Sequence, residues 1–511
     1  MSQLALILGL LLAPPQPLQI GSRLELFVDD YLIDTIEGLT LQLHSPQPAG
    51  RALAFDQPWE GNTSAYATVI KDDARYRMYY RGSADPKYIR RSALKPGEAA
   101  LPPHPEFTCY AESPDGIHWT KPVLGLVEFN GSKANNILWT GPEAHDFAPF
   151  LDANPAAKPA APVMPQSRGA TGGISFSLSR AVSENGPDKL KHIPHGDEHP
   201  PETEALPARY KAFGRREKGL IAFQSADGLN WTRIQETPVI TDGAFDSLNV
   251  GFWDATRNHY VAVYRDFRDG VRTFKSATSQ DFLHWTPGQW ADFGGAPVEQ
   301  LYTNAATPYF RAPHIYLAFP KRFFPDRTRF EDTPSPGISE AVFISSRDGL
   351  HWDRRFMEAF IRPGRDERNW VHRNNMVAAG VVPTAADEIS LYVSRHYTYP
   401  SAHMERMVLR TDGFVSLHAR FQGGELLTKP ILIKGDKLVL NYATSAAGSI
   451  RFEIQSASGQ PLPRLALRET PVLWGDAIDA VVPLATPLAG VPIRLRFVMK
   501  DADLYSVRFR D

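Results

Sequence analysis

The sequence predicts an all-β protein, a five-bladed β-propeller followed by a C-terminal β-sandwich, and three observations carry that prediction. A short turn recurs as Ser113–Pro–Asp115–Gly116–Ile–His–Trp119, Ser225–Ala–Asp227–Gly228–Leu–Asn–Trp231, Ser279–Gln–Asp281–Phe–Leu–His–Trp285 and Ser346–Arg–Asp348–Gly349–Leu–His–Trp352. A worn fifth copy, Arg410–Thr–Asp412–Gly413–Phe–Val–Ser416, lacks the serine and the tryptophan. Each turn follows an apolar run such as Phe107 to Ala111, Leu220 to Gln224 or Ala341 to Ser345. Asp-Gly after such a run marks a hairpin, because Gly accepts positive φ and Asp bonds back to nearby N–H groups. The recurrence interval, roughly 60 residues for all but the first pair, leaves room for four strands per unit, as in a propeller. Tryptophan in register across four copies argues against unrelated hairpins.

Taken in order, the chain opens with an apolar run, Leu4 to Ala13, followed by Pro14 and Pro15. It is too short to span a bilayer and reads as a secretory signal over residues 1–20. Strand-like segments at Leu24 to Ile33 and Leu39 to Leu43 form a leader, expected to complete a blade or close the ring. The propeller is expected over 21–418. Unit one runs through Ala65 to Lys71, Tyr76 to Arg81 and Phe107 to Ala111 to Trp119; the corresponding second strands of units two to five start at Tyr210, Tyr260, Ile315 and Ile389. Unit two carries a Pro-, Gly- and Ala-rich insertion at about 153–207, which accounts for the long first interval. It leaves the outgoing end of a first strand, so it is expected on the back face. After Leu417 the motif stops, and short strands over 419–511 read as a separate β-sandwich.

The formal charge of −2 and the 22% charged residues describe a soluble protein and argue against nucleic acid or an anionic membrane as partner. A single cysteine, Cys109, excludes an intrachain disulfide and reads as a small core residue. Together with the signal, this points to a secreted or periplasmic protein. The oligomeric state is not legible.

Chemistry is expected where first strands begin and second strands end, since antiparallel pairing brings both to one mouth. Ahead of the first strands stand Glu60, Asp146, Asp246 and Glu299, and in unit five His372 and Arg373; Tyr302 follows Glu299. The second strands end on Arg81, Arg215, Arg265, Lys321 and Arg395. Glycoside hydrolysis needs two carboxyl groups, one protonated and one ionised, and crowded acids among guanidinium groups can be tuned that way. Acids and bases at adjacent rims also form purely structural ion pairs. The cluster His192, His195, Asp197, Glu198 and His199 sits in the insertion and reads as a solvated loop rather than a metal site. Trp474 reads as core packing, with sugar stacking the other use of such a ring.

These repeats, with Trp59–Glu60–Gly–Asn62, His145–Asp146–Phe–Ala–Pro–Phe–Leu–Asp152, Phe245–Asp246–Ser–Leu–Asn249 and Leu301–Tyr302–Thr–Asn304, resemble secreted bacterial proteins related to the five-bladed glycosidases of glycoside hydrolase families 32, 43, 68 and 117. The resemblance covers about residues 24–417. It implies a funnel site with three acids: a nucleophile or base on the first blade, a stabiliser, and a glutamate proton donor. Glu299 matches the donor, Asp146 or Asp246 the stabiliser, and Glu60, or Asp56, the first-blade acid. The Trp-Met-Asn-Asp-Pro signature of the fructosidases is absent, and Arg265–Asp266–Phe267 echoes their Arg-Asp-Pro motif only in part.

The expected function is therefore hydrolysis of an oligo- or polysaccharide by Glu60, Asp146, Asp246 and Glu299, with Arg81, Arg265, Tyr302, Lys321, His372, Arg373 and Arg395 binding substrate. The alternative is a non-catalytic propeller that binds a glycan or protein. No cofactor is called for, although a structural or funnel-bound Ca2+ would be compatible. The ring of basic residues points to an acidic or sulfated sugar rather than a neutral one.

Overall fold

The computed structural model describes residues 16–156 and 209–511, apart from 74, 91, 93, 95 and 97–100. Most of the expected signal and nearly all of the insertion, with its histidine cluster, lie outside the described residues. The protein is all-β apart from short 3-10 turns, and no described helix is long and apolar enough to cross a membrane.

Among the described residues are five four-stranded antiparallel sheets. Sheet one comprises Ala65–Asp72, Arg75–Gly82, Phe107–Ser113 and Ile137–Thr140. Sheet two holds Ala148–Leu151, Tyr210–Arg216, Gly219–Ser225 and Thr232–Arg233. Sheet three holds Val250–Asp254, His259–Arg268, Val271–Ser279 and Gln289–Trp290. Sheet four holds Thr307–Tyr309, Ala312–Ala318, Ile344–Ser346 and Trp352–Asp353, preceded by a three-stranded strip of Leu301–Tyr302, Lys321–Phe324 and Ile338–Ala341. Sheet five is Val382–Pro383, Glu388–Arg395 and His403–Arg410, completed by Gln47–Ala54 from the N-terminal side.

The repeated turn has one geometry in its four full copies. The serine Oγ accepts the N–H three residues on, at 2.8 Å from Gly116, 2.9 Å from Gly228 and Phe282, and 2.8 Å from Gly349. The aspartate Oδ1 accepts the next two N–H groups, as Asp227 does from Leu229 and Asn230, both at 2.8 Å. The indole N–H then closes onto the fourth residue's carbonyl, Gly228 in the case of Trp231 at 3.0 Å.

These turns also tie neighbouring sheets together. The Gly228 carbonyl accepts from Tyr79 of sheet one at 3.0 Å, and that of Gly349 from Ser276 of sheet three at 2.6 Å. Phe282 stacks on Phe213 of sheet two, 4.7 Å between centroids. Asp412, in the worn copy, accepts from Tyr309 of sheet four at 2.7 Å. The Gly116 carbonyl accepts from Tyr392 of sheet five, so each sheet leans on the one before it and sheet one leans on sheet five. A second set of ties runs the other way. Asp72, Asp152 and Asp254, at or just past the ends of three first strands, accept from Tyr210, Tyr260 and Tyr316 of the following sheets. The first strand of sheet one meets the segment that leads into the first strand of sheet five, where Ala379 O accepts from Val69 N at 2.8 Å. At their outgoing ends the first strands of all five sheets line one cavity of about 560 Å3.

The leader does something other than expected. Leu18–Gly21, Glu25–Leu26, Ile33–Glu37 and Leu39–Leu43 all pair with strands after residue 414, in one ten-stranded sheet built on Lys437–Ser456 and Ile493–Arg510. The strand that completes a four-stranded sheet is the next one, Gln47–Ala54. Val415–Ala419, after the worn turn, likewise pairs with Leu39–Leu43 and with Ile493–Arg510. This sheet has its own core, including Phe27, Leu417, Leu440, Phe452, Phe497 and Phe509.

Candidate functional site

Several first strands enter through strained backbone, which aims side chains that regular pleating would turn elsewhere. Tyr66, Thr303, Ala305, Arg373 and Asn375 have φ of 50°, 52°, 48°, 62° and 59°. Non-glycine residues reach this region at a cost and concentrate where function over-determines the backbone. At Tyr66 the strand pairing slips between Ala65 and Thr68, a bulge that leaves the ring against His145, with centroids 5.5 Å apart.

His145 is the centre of the acidic part of the site. Its Nδ1 lies 2.7 Å from Glu106 and its Nε2 2.9 Å from Asp246. A carboxylate at each ring nitrogen favours a doubly protonated ring, against the Arg81 guanidinium, whose Nη1 lies 3.2 and 3.3 Å from the same two nitrogens. Burial and the neighbouring Arg81 oppose that charge, but the bonds to Asp246 and Glu106 outweigh them and raise the pKa of His145. For Asp246 the hydrogen bond from His145 is the largest influence, and the carboxyl is held far below its usual range. Burial resists ionisation of Glu106, yet His145 and Arg81 bring its carboxyl down to about 2. Asp246 is the exposed member, with 55% of its side chain open. Asp146 lies beneath, fully buried, accepting from Arg215 N at 2.9 Å and more loosely from Asn249. Burial pushes its carboxyl up to about 6.

Beside these acids lies a basic patch. Lys321 Nζ sits 4.2 Å from the Tyr302 ring centre, and Arg265 and Arg272 each stand 5.5 Å from it. The Tyr302 hydroxyl faces His372 Nε2 at 3.4 Å, and Ser335 faces its Nδ1 at 3.1 Å. Burial and the charges of Lys321 and Arg373 take His372 down to about 2, so the ring is neutral. Arg81 donates to Thr63 O and Tyr397, and its guanidinium lies 4.7 Å from the Tyr66 ring centre.

Of the four expected acids, Asp146 and Asp246 share this cluster, whereas Glu60 and Glu299 are held elsewhere. Glu60 is buried behind sheet one, accepting from Lys121 at 2.6 Å, from Gln57 N at 3.0 Å and from Tyr80. Burial pushes its carboxyl up against those partners. Glu299 is clamped by Arg322 at 2.8 Å and Arg354 at 2.9 Å. Strand alternation separates it from the site: Lys321 joins the basic patch, and its neighbour Arg322 takes the other side with Glu299 and Glu340. Among the expected basic residues, Arg81, Arg265, Lys321, His372 and Arg373 join the cluster. Arg395 pairs with Glu405 at 2.7 Å and with Asn375 inside sheet five.

Glu106, His145, Arg272 and Tyr66 are the members that sequence reasoning passed over. Glu106 immediately precedes the third strand of sheet one, and Arg272 is the second residue of the third strand of sheet three. A hairpin that ends its second strand at the mouth begins its third there too, so that position was searchable. Trp474, expected in the core, is 73% exposed because it lies in the open turn before Asp476–Pro483. Cys109 is buried and free. Among the described residues no group of three or more His, Cys, Asp or Glu is arranged to hold a metal ion.

No protein-family model matches the sequence, and no curated protein matches it. Among solved structures its neighbours include glycoside hydrolases of propeller-type folds. One, described as a glycoside hydrolase, is 11% identical, covering 72% of this chain and 92% of its own at a TM-score of 0.42. A fructofuranosidase from Schwanniomyces occidentalis, complexed with fructosylnystose, is 9% identical over 91% and 98%, at 0.37. A family 43 arabinoxylan arabinofuranohydrolase from Bacillus subtilis is 10% identical over 88% and 96%, at 0.36.

Proposed function

We propose that this chain is an exported glycoside hydrolase whose five sheets are the blades of a β-propeller, with a β-sandwich after them, and whose carbohydrate substrate is cleaved where the first strands begin. The observation that carries the reading is the Glu106–His145–Asp246 bridge beside the half-open Asp246. Hydrolysis of a glycosidic bond needs one proton delivered to the leaving oxygen and one removed from water. The imidazolium holds one mobile proton between two ionised carboxylates. The half-open Asp246, kept ionised by that ring, is placed to take the proton from water, the imidazolium beside it is the source of the proton for the leaving oxygen, and Glu106 keeps the ring charged. Asp146, buried beneath, orients the strand entries through Arg215 and Asn249. No cofactor takes part, and neither nucleic acid nor a membrane is a partner in this reading.

The test is release of reducing sugar from a broad glycan panel by the wild type and by Asp246→Asn and Glu106→Gln. Loss of a positioned acid or base costs roughly 10²–10⁴-fold in rate, and each variant should lose at least the lower figure. Wild-type hydrolysis that both variants retain in full would remove these carboxylates from the mechanism. A second reading, a non-catalytic glycan-binding propeller, is favoured by the excess of cations around the site; binding of a glycan without release of any product by the wild type would establish it.

A further inference from the structure

Among the described residues the basic patch has little internal counter-charge. Lys321 is 1% exposed, and its Nζ has no hydrogen-bond partner among the described residues; Arg265 Nε likewise has none. The other Arg265 contacts are to the Asp246 main-chain carbonyl at 2.7 Å and, at 3.9 Å, to its carboxylate. Among the described residues the Arg272 guanidinium donates to the amide oxygen of Gln300, at 3.1 Å, and to no acid. Arg373 lies 5.4 Å from the Tyr88 ring centre and gains from the Tyr397 hydroxyl. By contrast, three neighbouring basic residues have acids: Arg322 has Glu299 and Glu340, Arg395 has Glu405, and Arg216 has Glu143. Among the described residues three guanidinium groups and the Lys321 amine therefore converge near one carboxylate, Asp246, which His145 already engages.

Burying an amine without a partner is costly, and so is crowding it against guanidinium groups. Burial first, then Arg373, Arg272 and Arg265, hold the Lys321 ammonium well below its usual range. Such an arrangement persists where a ligand supplies the missing charge. The exposed ring of Phe267 is a flat surface of the kind sugar rings stack on, and Arg272 lies 5.2 to 5.5 Å from its centre and from those of the buried Tyr302 and Phe323.

We infer that Lys321, Arg265, Arg272 and Arg373 form a subsite for an anionic substituent, a carboxylate or a sulfate ester, on the sugar bound next to Asp246. The inference rests on the glycosidase reading only in taking the ligand to be a substrate. An incoming anion would be gripped by guanidinium forks and would supply Lys321 with the partner it lacks.

Titration calorimetry tests it with galacturonate, glucuronate, galactose 6-sulfate, inorganic sulfate, and neutral galactose and glucose, at low and physiological salt. Anionic sugars should bind at least tenfold more tightly than their neutral parents, and the advantage should shrink as salt rises. Lys321→Met and Arg272→Gln should each weaken them at least tenfold, with neutral sugars unaffected. Uronates binding and sulfate not, or the reverse, identifies the substituent and supports the subsite. Should a variant unfold, the wild-type contrast between charged and neutral ligands decides. Anionic ligands no tighter than neutral ones, or folded variants that bind them like wild type, would overturn the inference. Tight anion binding without hydrolysis of any glycan would leave the subsite standing and remove the glycosidase reading. Hydrolysis of neutral glycans alone would do the opposite.

Discussion

At the scale of single residues, acidity here is decided by burial and by His145. Asp146 illustrates the sign. Its ordinary value is 3.8 and burial raises it to about 6 in the folded protein. Between these values the unfolded chain has given up its proton and the folded chain has kept it. The folded state therefore binds more protons, and this group's contribution to stability falls as pH rises from about 4 to about 6. Asp146→Asn cannot titrate, so urea unfolding at pH 4 and pH 7 should show the variant gaining stability relative to the wild type across the interval. An unchanged difference between the two proteins would refute the assignment. The residue scale is also where sequence reading reached least far. Asp146 and Asp246 were legible from their place before a first strand, as Arg265 and Lys321 were at the ends of second strands. Glu60 and Glu299 occupy equivalent places in the chain, but Lys121, Arg322 and Arg354, remote in sequence, capture them. Which face an acid takes depends on bulges and on partners far along the chain, and neither leaves a local mark.

At the scale of elements, the Ser-x-Asp-Gly-x-x-Trp turn was legible because its chemistry is local, every bond spanning two or three residues. Its role as a tie between sheets was not, since the tyrosines that meet it belong to other repeats. Gly228 shows why the turn resists change. Its φ is +75°, and a Cβ built on it would stand 2.6 Å from Tyr79 Oη and 3.2 Å from Arg77 Nη1. Gly228→Ala should strain the backbone and displace the tyrosine whose hydroxyl bonds this residue's own carbonyl, for a loss of about 1–3 kcal/mol. Gly131→Ala is a fair control, with a similar φ of +78° and nothing within 4 Å of the added carbon. Chemical denaturation should find Gly228→Ala the less stable of the two, and equal midpoints would show that the contact with Tyr79 does not matter.

At the scale of the whole molecule, the termini hold the architecture together. Four-strand periodicity made the five sheets legible, but no local pattern announces that Gln47–Ala54 completes sheet five beside His403–Arg410 or that the leader belongs to the last sheet. Such pairings join strands some 350 to 480 residues apart and carry a large loop-closure cost that only the finished fold repays. They make the C-terminal region dependent on the leader. Glu25–Leu26 lies on Ser506 and Val507, Ile33–Glu37 on Glu425 to Thr428, and Leu39–Leu43 on Val415–Ala419. Glu25 is buried, with Arg347 at 2.9 Å and His314 at 3.1 Å, which binds the leader to sheet four as well. Residues 419–511 expressed alone would expose the unpaired edges and apolar faces of these strands, including Leu426, Ile431 and Val507, all buried in the intact chain. Extending the fragment back to 414 and joining residues 16–45 to it through a flexible linker should restore the partners. The expected outcome is a cooperative thermal transition and dispersed amide resonances for the linked fragment, and neither for 419–511 alone. A fragment 419–511 that unfolds cooperatively by itself would show that the leader only decorates a domain already complete without it.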